Sequence, residues 1–265
     1  MDNILILYHS AAGSTRLVAR LIEAALQGCA QTRLLSIEAP ESLAMVADYD
    51  HLVFGFPTYH CDPSASIRAF IERLPVFTSP KKVFSFTTCG LYSANTLRIF
   101  AKQCLTKNLI TVHSRSYRSP ASDGSLLAPW LPFVYRFEKN LVEKVKADVD
   151  TVLAAFADND SKLAISRFRL YSILNYPNKL GGQIVKFPIY TFAERCTQCG
   201  VCVQDCPHDC FEIDALGIPH HRMDGCEHCY RCIHTCPTQA LTLRRNQVVT
   251  RQLNKQFFAA KWEAL

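Results

Sequence analysis

Residues 4–8, Ile-Leu-Ile-Leu-Tyr, form an unbroken apolar run. A run that short, without alternation, suits a strand covered on both faces of a parallel sheet. Over 16–26 the period changes, and Leu17, Leu21, Ala24 and Ala25 recur on one helical face. Further strand-like runs follow at 32–37, 51–56, 82–88 and 109–113, with helical stretches over 62–73, 93–106 and 133–157. Five strands alternating with helices predict an α/β fold, a doubly wound parallel sheet. Beyond it, 161–171 reads as a short amphipathic basic helix packed between domains with its charges solvated, broken over 177–182. The pattern divides the chain into a domain over 1–157, a connector over 158–190, a small α+β domain over 191–245 and a tail over 246–265.

Ligands of a doubly wound sheet sit beyond the C-terminal ends of its strands, at the point where the strand order reverses. The first such segment, His9 to Thr15, is rich in hydroxyls and opens a helix. Ser10, Ser14 and Thr15, with backbone N–H groups at a helix N-terminus, suit a phosphate. It has neither the Gly-Lys-Ser/Thr ending of a nucleotide P-loop nor the G-x-G-x-x-G dinucleotide fingerprint. The third and fourth strands are followed by Pro57-Thr58-Tyr59-His60-Cys61 and Thr88-Cys89-Gly90-Leu91-Tyr92. Two loops able to flank a flat heterocycle, with a phosphate loop between them and the first strand, describe a flavin mononucleotide (FMN) site.

The small domain is organised differently. The pattern C-x2-C-x2-C-x3-C-P occurs twice, as Cys196, Cys199, Cys202, Cys206 and as Cys226, Cys229, Cys232, Cys236, each followed by proline. One copy lies over the other with every cysteine aligned, so this is an internal duplication. Three thiolates two residues apart converge from one loop onto one face of an iron-sulfur cube, and the cysteine before proline ligates the other cluster. This assigns Cys196, Cys199, Cys202 and Cys236 to one 4Fe-4S cluster, and Cys226, Cys229, Cys232 and Cys206 to a second. Structural zinc would have no use for the third, regularly spaced cysteine. Cys210 aligns with Ala240 and is not a ligand; Cys29 and Cys104, near helix ends, read as buried or inert.

Composition narrows the classes. The net charge of +6 lies outside the cysteine domain, since residues 191–265 hold eight basic and eight acidic side chains. Each oxidised cube with four thiolates adds a formal charge of about −2, so the charge does not argue for nucleic acid binding. No apolar run reaches the roughly 20 residues of a membrane helix. The N-terminus has no export signal, which implies a cytoplasmic chain and disfavours a disulfide scaffold.

Residues 1 to about 157 resemble a flavodoxin, and Cys196 to Leu243 resemble a bacterial two-cluster ferredoxin. The whole resembles the flavodoxin-ferredoxin fusion proteins found largely in anaerobes. The resemblance implies that Ser10, Ala12, Gly13, Ser14 and Thr15 hold the FMN phosphate. It further implies that Pro57, Thr58, Tyr59 and His60 border the ring, with Thr88, Cys89, Gly90 and Tyr92 as its other wall. Ala11 and Ala12 separate Ser10 from Gly13, and Leu91 stands where an acidic residue is usual, which implies weaker FMN binding. The implied function is electron transfer between two 4Fe-4S clusters and FMN, with a redox protein or small acceptor as partner. A flavin-dependent reductase fed by the clusters, with His60, Tyr92, His113 and Tyr117 around its substrate, and an iron-sulfur protein with an empty flavodoxin-like domain, are the competing readings.

Overall fold

The computed structural model describes residues 2–160, 162–170, 187–245 and 247–265. In the first unit, β1 (Asn3–Tyr8) is followed by α1 (Ser14–Leu26), β2 (Gln31–Ser36), the short α2 (Ser42–Met45) and β3 (His51–Tyr59). The two-residue β4 (Asp62–Pro63), α3 (Ala65–Arg73), β5 (Lys81–Cys89), α4 (Thr96–Leu105) and β6 (Leu109–Arg118) come next. α5 (Gly124–Leu127) and α6 (Leu141–Ala157) complete it.

β2, β1, β3, β5 and β6 lie side by side in that order, all parallel, and β4 pairs antiparallel with the end of β3. This is the flavodoxin-like strand order, with its reversal at β1 and β3. The alternation of β1 shows why its whole run is apolar. Ile4 and Ile6 enter a core with Leu17, Val18 and Ile22 of α1 and Val145, Val149 and Val152 of α6. Leu5 and Leu7 enter the opposite one, with Ile67, Phe70 and Ile71 of α3 and Leu97 and Phe100 of α4. Both faces are therefore covered, and no polar position is tolerated. Cys104 is buried there, and burial pushes its thiol well above the ordinary range, whereas Cys29 is exposed rather than buried.

Several expectations change: β3 runs to Tyr59, past its expected end at 56, and the helix expected over 133–157 begins at Leu141. The fifth strand runs five residues past its expected end at 113, to Arg118. Residues 162–170 are not helical; they are pinned along β6, the sheet's edge strand. The Ala164 amide donates to the Thr111 carbonyl at 2.7 Å, and the Ser166 and Ser114 hydroxyls meet at 3.0 Å. The Arg98 guanidinium donates to the Ser166 carbonyl at 3.1 Å. An edge strand offers unpaired backbone groups that outweigh the local helical pattern. Ser161 and 171–186, which contain the expected break, lie outside the described residues.

The second unit carries the sequence repeat into its backbone. β7 (Tyr190–Thr191) precedes α7 (Val201–Gln204), β8 (Phe211–Ile213), β9 (Pro219–His221), α8 (Arg231–Thr235) and β10 (Leu241–Thr242). β8 pairs antiparallel with β9, and β7 with β10. Helical turns α7 and α8 occupy equivalent positions in the two copies. So do three pairs of left-handed residues: Gln198 and His228, Gly200 and Tyr230, Asp209 and Gln239. The tail then returns to the first unit as α9 (Lys255–Glu263), with Leu253 and Phe258 buried in that unit's core and Arg20 stacked 4.2 Å over the Trp262 ring.

Candidate cofactor sites

Where β1, β3, β5 and β6 end, their loops enclose a cavity of about 590 Å³. Ser10, Ala12, Ser14 and Thr15 line it beyond β1, Pro57, Thr58, Tyr59 and His60 at the end of β3, and Thr88, Cys89, Gly90 and Tyr92 at the end of β5. The pairing of β3 with β5 sets Pro57 directly beside Thr88. Gly13 is the one flavin-loop candidate from the sequence not on the wall. Its φ is +139°, and a Cβ there would stand 2.4 Å from the Phe258 ring, so glycine is required by α9 packing behind the loop.

The sequence did not point to the third wall, which runs from Ser119 to Gly124 and on through Leu131, Phe133 and Val134. The rule that ligands lie beyond strand ends would have found it, had the fifth strand been extended to Arg118. Of the side chains offered for a reductase substrate, His60 and Tyr92 line the cavity. His113 and Tyr117 instead bond Asp148 of α6, at 3.0 and 2.8 Å.

Hydroxyls tie the loops to one another. Ser14 Oγ donates to the Pro120 carbonyl at 2.9 Å, Thr15 and Thr88 hydroxyls meet at 2.8 Å, and Thr58 meets Thr87 at 2.8 Å. The Arg16 amide donates to Ser10 Oγ at 3.2 Å, which curls the loop over the start of α1. α1 has no acidic residue in its first turn, so its positive dipole end is left for an anion. The Ser14 O–H is taken by Pro120, so a phosphate would be met by the Ser10 hydroxyl and the start of α1, and the walls beside it fit a planar ring. After β3, His60 and Cys61 both take left-handed backbone, φ +47° and +65°, and join β3 to β4 as a two-residue hairpin. Burial holds the Tyr59 phenol well above its ordinary pKa. It also raises the Cys89 thiol, which contacts Ser116 Oγ at 3.4 Å.

In the second unit, all thirteen cysteines of the chain being free thiols, the eight of the repeat gather in two sets. Cys196, Cys199, Cys202 and Cys236 line one small cavity with Val203, Ile213 and Leu241. Burial, and then the nearby Cys236, Cys196 and Cys199, push Cys202 up to about 11. Burial and then Cys229, Cys226 and Cys206 raise Cys232 well above the ordinary thiol range. The first set thus includes Cys236 from the second copy, and the thiols acting on Cys232 include Cys206 from the first. Backbone amides face the sulfurs: Cys210 N to Cys206 Sγ at 3.3 Å, Ala240 N to Cys236 Sγ at 3.2 Å, and His228 N to Cys226 Sγ at 3.4 Å. Four thiols with N–H donors fit an iron-sulfur cluster, whose charge such donors offset. Cys210 and Ala240 serve the same role through their amides, which leaves the Cys210 thiol without a structural counterpart in the repeat.

The two units meet at the cavity. His228 and Tyr230, which flank Cys229, form part of its wall. Next in the chain, Arg231 donates to Glu38 at 2.8 and 2.5 Å and to the Ser10 carbonyl at 3.1 Å. Glu227 accepts from the Ala65 amide at the start of α3. His234 Nε2 lies 3.0 Å from the Ser122 carbonyl, and Leu126 of α5 packs into the core of the second unit.

Comparison with known proteins defines the class. A flavodoxin-domain family model matches residues 5–114, and a 4Fe-4S dicluster domain model matches 192–240. A ferredoxin of Methanothermococcus thermolithotrophicus is 36% identical over 47 residues, covering 18% of this chain and 78% of that protein. An archaeal-type glutamate synthase [NADPH] of Dehalococcoides mccartyi is 34% identical over 71 residues, which is 25% of this chain but 14% of the synthase. Among solved structures, a two-electron reduced flavodoxin of Megasphaera elsdenii aligns with TM-score 0.42 at 18% identity, over 56% of this chain and 98% of that one. The chain carries a flavodoxin domain followed by a 4Fe-4S dicluster domain of the ferredoxin family. Its domains are those of electron transfer, and they imply FMN and 4Fe-4S clusters as cofactors. Among the described residues no helix is long and apolar enough to cross a membrane.

Proposed function

We propose that the protein passes single electrons between two 4Fe-4S clusters and one FMN. Cys196, Cys199, Cys202 and Cys236 hold a first-copy cluster; Cys226, Cys229, Cys232 and Cys206 hold a second-copy cluster. Ser10 to Thr15 take the FMN phosphate, and the loops at 57–60 and 88–92 take its ring. When bound, each cluster exchanges one electron and the flavin one or two. The observation that carries the reading is a shared loop: the segment bearing Cys226, Cys229 and Cys232 also walls the flavin cavity, through His228 and Tyr230. These two side chains, both buried, keep water from the junction. The second-copy cluster is then the one beside the flavin. Cys199 is exposed, which turns the first-copy cluster outward toward a redox partner.

A reductase acting on a small apolar acceptor is the second reading. Leu91, Phe133 and Phe187 line the cavity yet stay 62%, 39% and 39% exposed, giving it an apolar rim. Anaerobic purification with iron, sulfide and flavin quantification tests the whole scheme. About eight irons and one FMN per chain are expected; iron without flavin uptake would defeat both redox readings and leave an iron-sulfur protein with an empty first domain. Saturable turnover of a quinone would favour the reductase.

A further inference from the structure

The duplication supplies its own control. Laying the second copy over the first pairs Thr197 with Glu227, Gln198 with His228, Gly200 with Tyr230, Val201 with Arg231 and Gln204 with His234. Each of these second-copy residues touches the flavodoxin domain or its cavity. In the first copy, Gln198 bonds within its own domain, to the Leu216 carbonyl at 2.9 Å. The second loop therefore departs from the first where it faces the flavin site.

Arg231 reaches furthest. Its guanidinium, buried with the side chain 10% exposed, bonds the Ser10 carbonyl at the head of the phosphate loop. It also bonds the Asp205 carbonyl at 3.1 Å and both oxygens of Glu38. Asp205 precedes Cys206 and Arg231 itself precedes Cys232, so one planar fork joins the phosphate loop to the chain neighbours of two second-copy thiols. Lysine has the charge but not the fork. Glu38 is 38% exposed, so water screens the carboxylate more than the guanidinium, and the Arg231 charge adds a positive contribution at the second-copy thiols, opposed by the buried Glu227 carboxylate. A cation beside a cluster favours the form that has gained an electron.

We propose that Arg231 is a positioning residue that couples the two cofactor sites, its fork fixing the FMN phosphate loop and its charge raising the potential of the second-copy cluster alone. This rests on the cofactor assignments above. The test uses the anaerobic holoprotein and its Arg231→Gln and Arg231→Lys variants. FMN affinity is read by flavin fluorescence, and the two clusters by EPR-monitored redox titration. Cys236→Ser, which removes a ligand of the first-copy cluster, assigns the signals. With glutamine, FMN binds at least tenfold more weakly, and the reduction equilibrium of the second-copy cluster falls about tenfold, about 59 mV for one electron. The first-copy cluster does not move. Lysine restores the potential and not the affinity. Should glutamine at 231 prevent folding, Glu38→Gln gives the opposite sign, raising the second-copy potential by removing the counter-charge. Equal shifts in both clusters, no shift in either, or unchanged FMN affinity would overturn the coupling while leaving the function intact. A wild-type chain that binds iron but no FMN would overturn both.

Discussion

Tyr230 sits where the first copy has Gly200, and both are left-handed, with φ of +58° and +71°. For any residue with a Cβ, that conformation costs roughly 1–2 kcal/mol. Glycine escapes this but loses about 0.5–1 kcal/mol through the freedom of its unfolded chain. The tyrosine ring, 5% exposed, offsets the strain by burial, since truncating a buried aromatic costs about 3–5 kcal/mol. Tyr230→Ala loses the ring and keeps the strain; Tyr230→Gly loses the ring and relieves it. The glycine variant is therefore more stable than the alanine variant by about 0.5–1 kcal/mol, a few degrees or less in melting temperature. Both are less stable than wild type, and both bind FMN more weakly because the cavity wall is gone. Anaerobic thermal unfolding, followed through the visible absorption of the clusters, ranks the three. Alanine equal to or better than glycine would refute the idea that the backbone at 230 is held in strain to place that ring.

Other substitutions test the remaining assignments. Cys210→Ala copies the residue found at 240 and should leave iron content and both EPR signals unchanged, whereas Cys206→Ser should remove the second-copy signal. Phe258→Ala should cost about 3–5 kcal/mol and weaken FMN binding; Gly13→Ala is worse tolerated, and combining the two recovers only the clash, not the backbone strain at φ +139°. Burial pushes the His9 imidazole, bonded to Ser64 Oγ at 2.9 Å, down from 6.5 to about 4. The unfolded chain thus binds a proton that the fold refuses, and stability is lost as pH falls from about 6.5 toward 4, by up to about 1.4 kcal/mol per pH unit. Denaturant midpoints between pH 7.5 and 5.5 should fall in wild type and fall less in His9→Gln.

Strand identity was legible because burial on both faces leaves only apolar runs such as Ile4 to Leu7. The cysteine pattern was legible because cluster geometry demands fixed spacing. What escaped was set by tertiary contact. The segment 162–170 has helical periodicity, but the open edge of β6 claims its backbone. His60 and Cys61 make a tight hairpin without the Asn-Gly signal that usually marks one. Gly13 looked like a phosphate ligand, and only the position of Phe258 shows that its role is to make room. The contacts of Arg231 with Ser10 and Glu38 link residues more than 190 positions apart, which no local pattern encodes.

The return of α9 to the phosphate loop sets a timetable. Phe258 follows Gly13 by 245 positions (258 minus 13), a lag of about 12–50 s at ordinary rates of synthesis. The flavin site lacks its backing throughout that interval, whereas the last cysteine loop, complete at Cys236, precedes Phe258 by 22 positions (258 minus 236), about 1–4 s. Cluster insertion can thus begin before the flavin pocket is complete, and tight FMN binding becomes a report that both domains, and the helix that straps them, are in place.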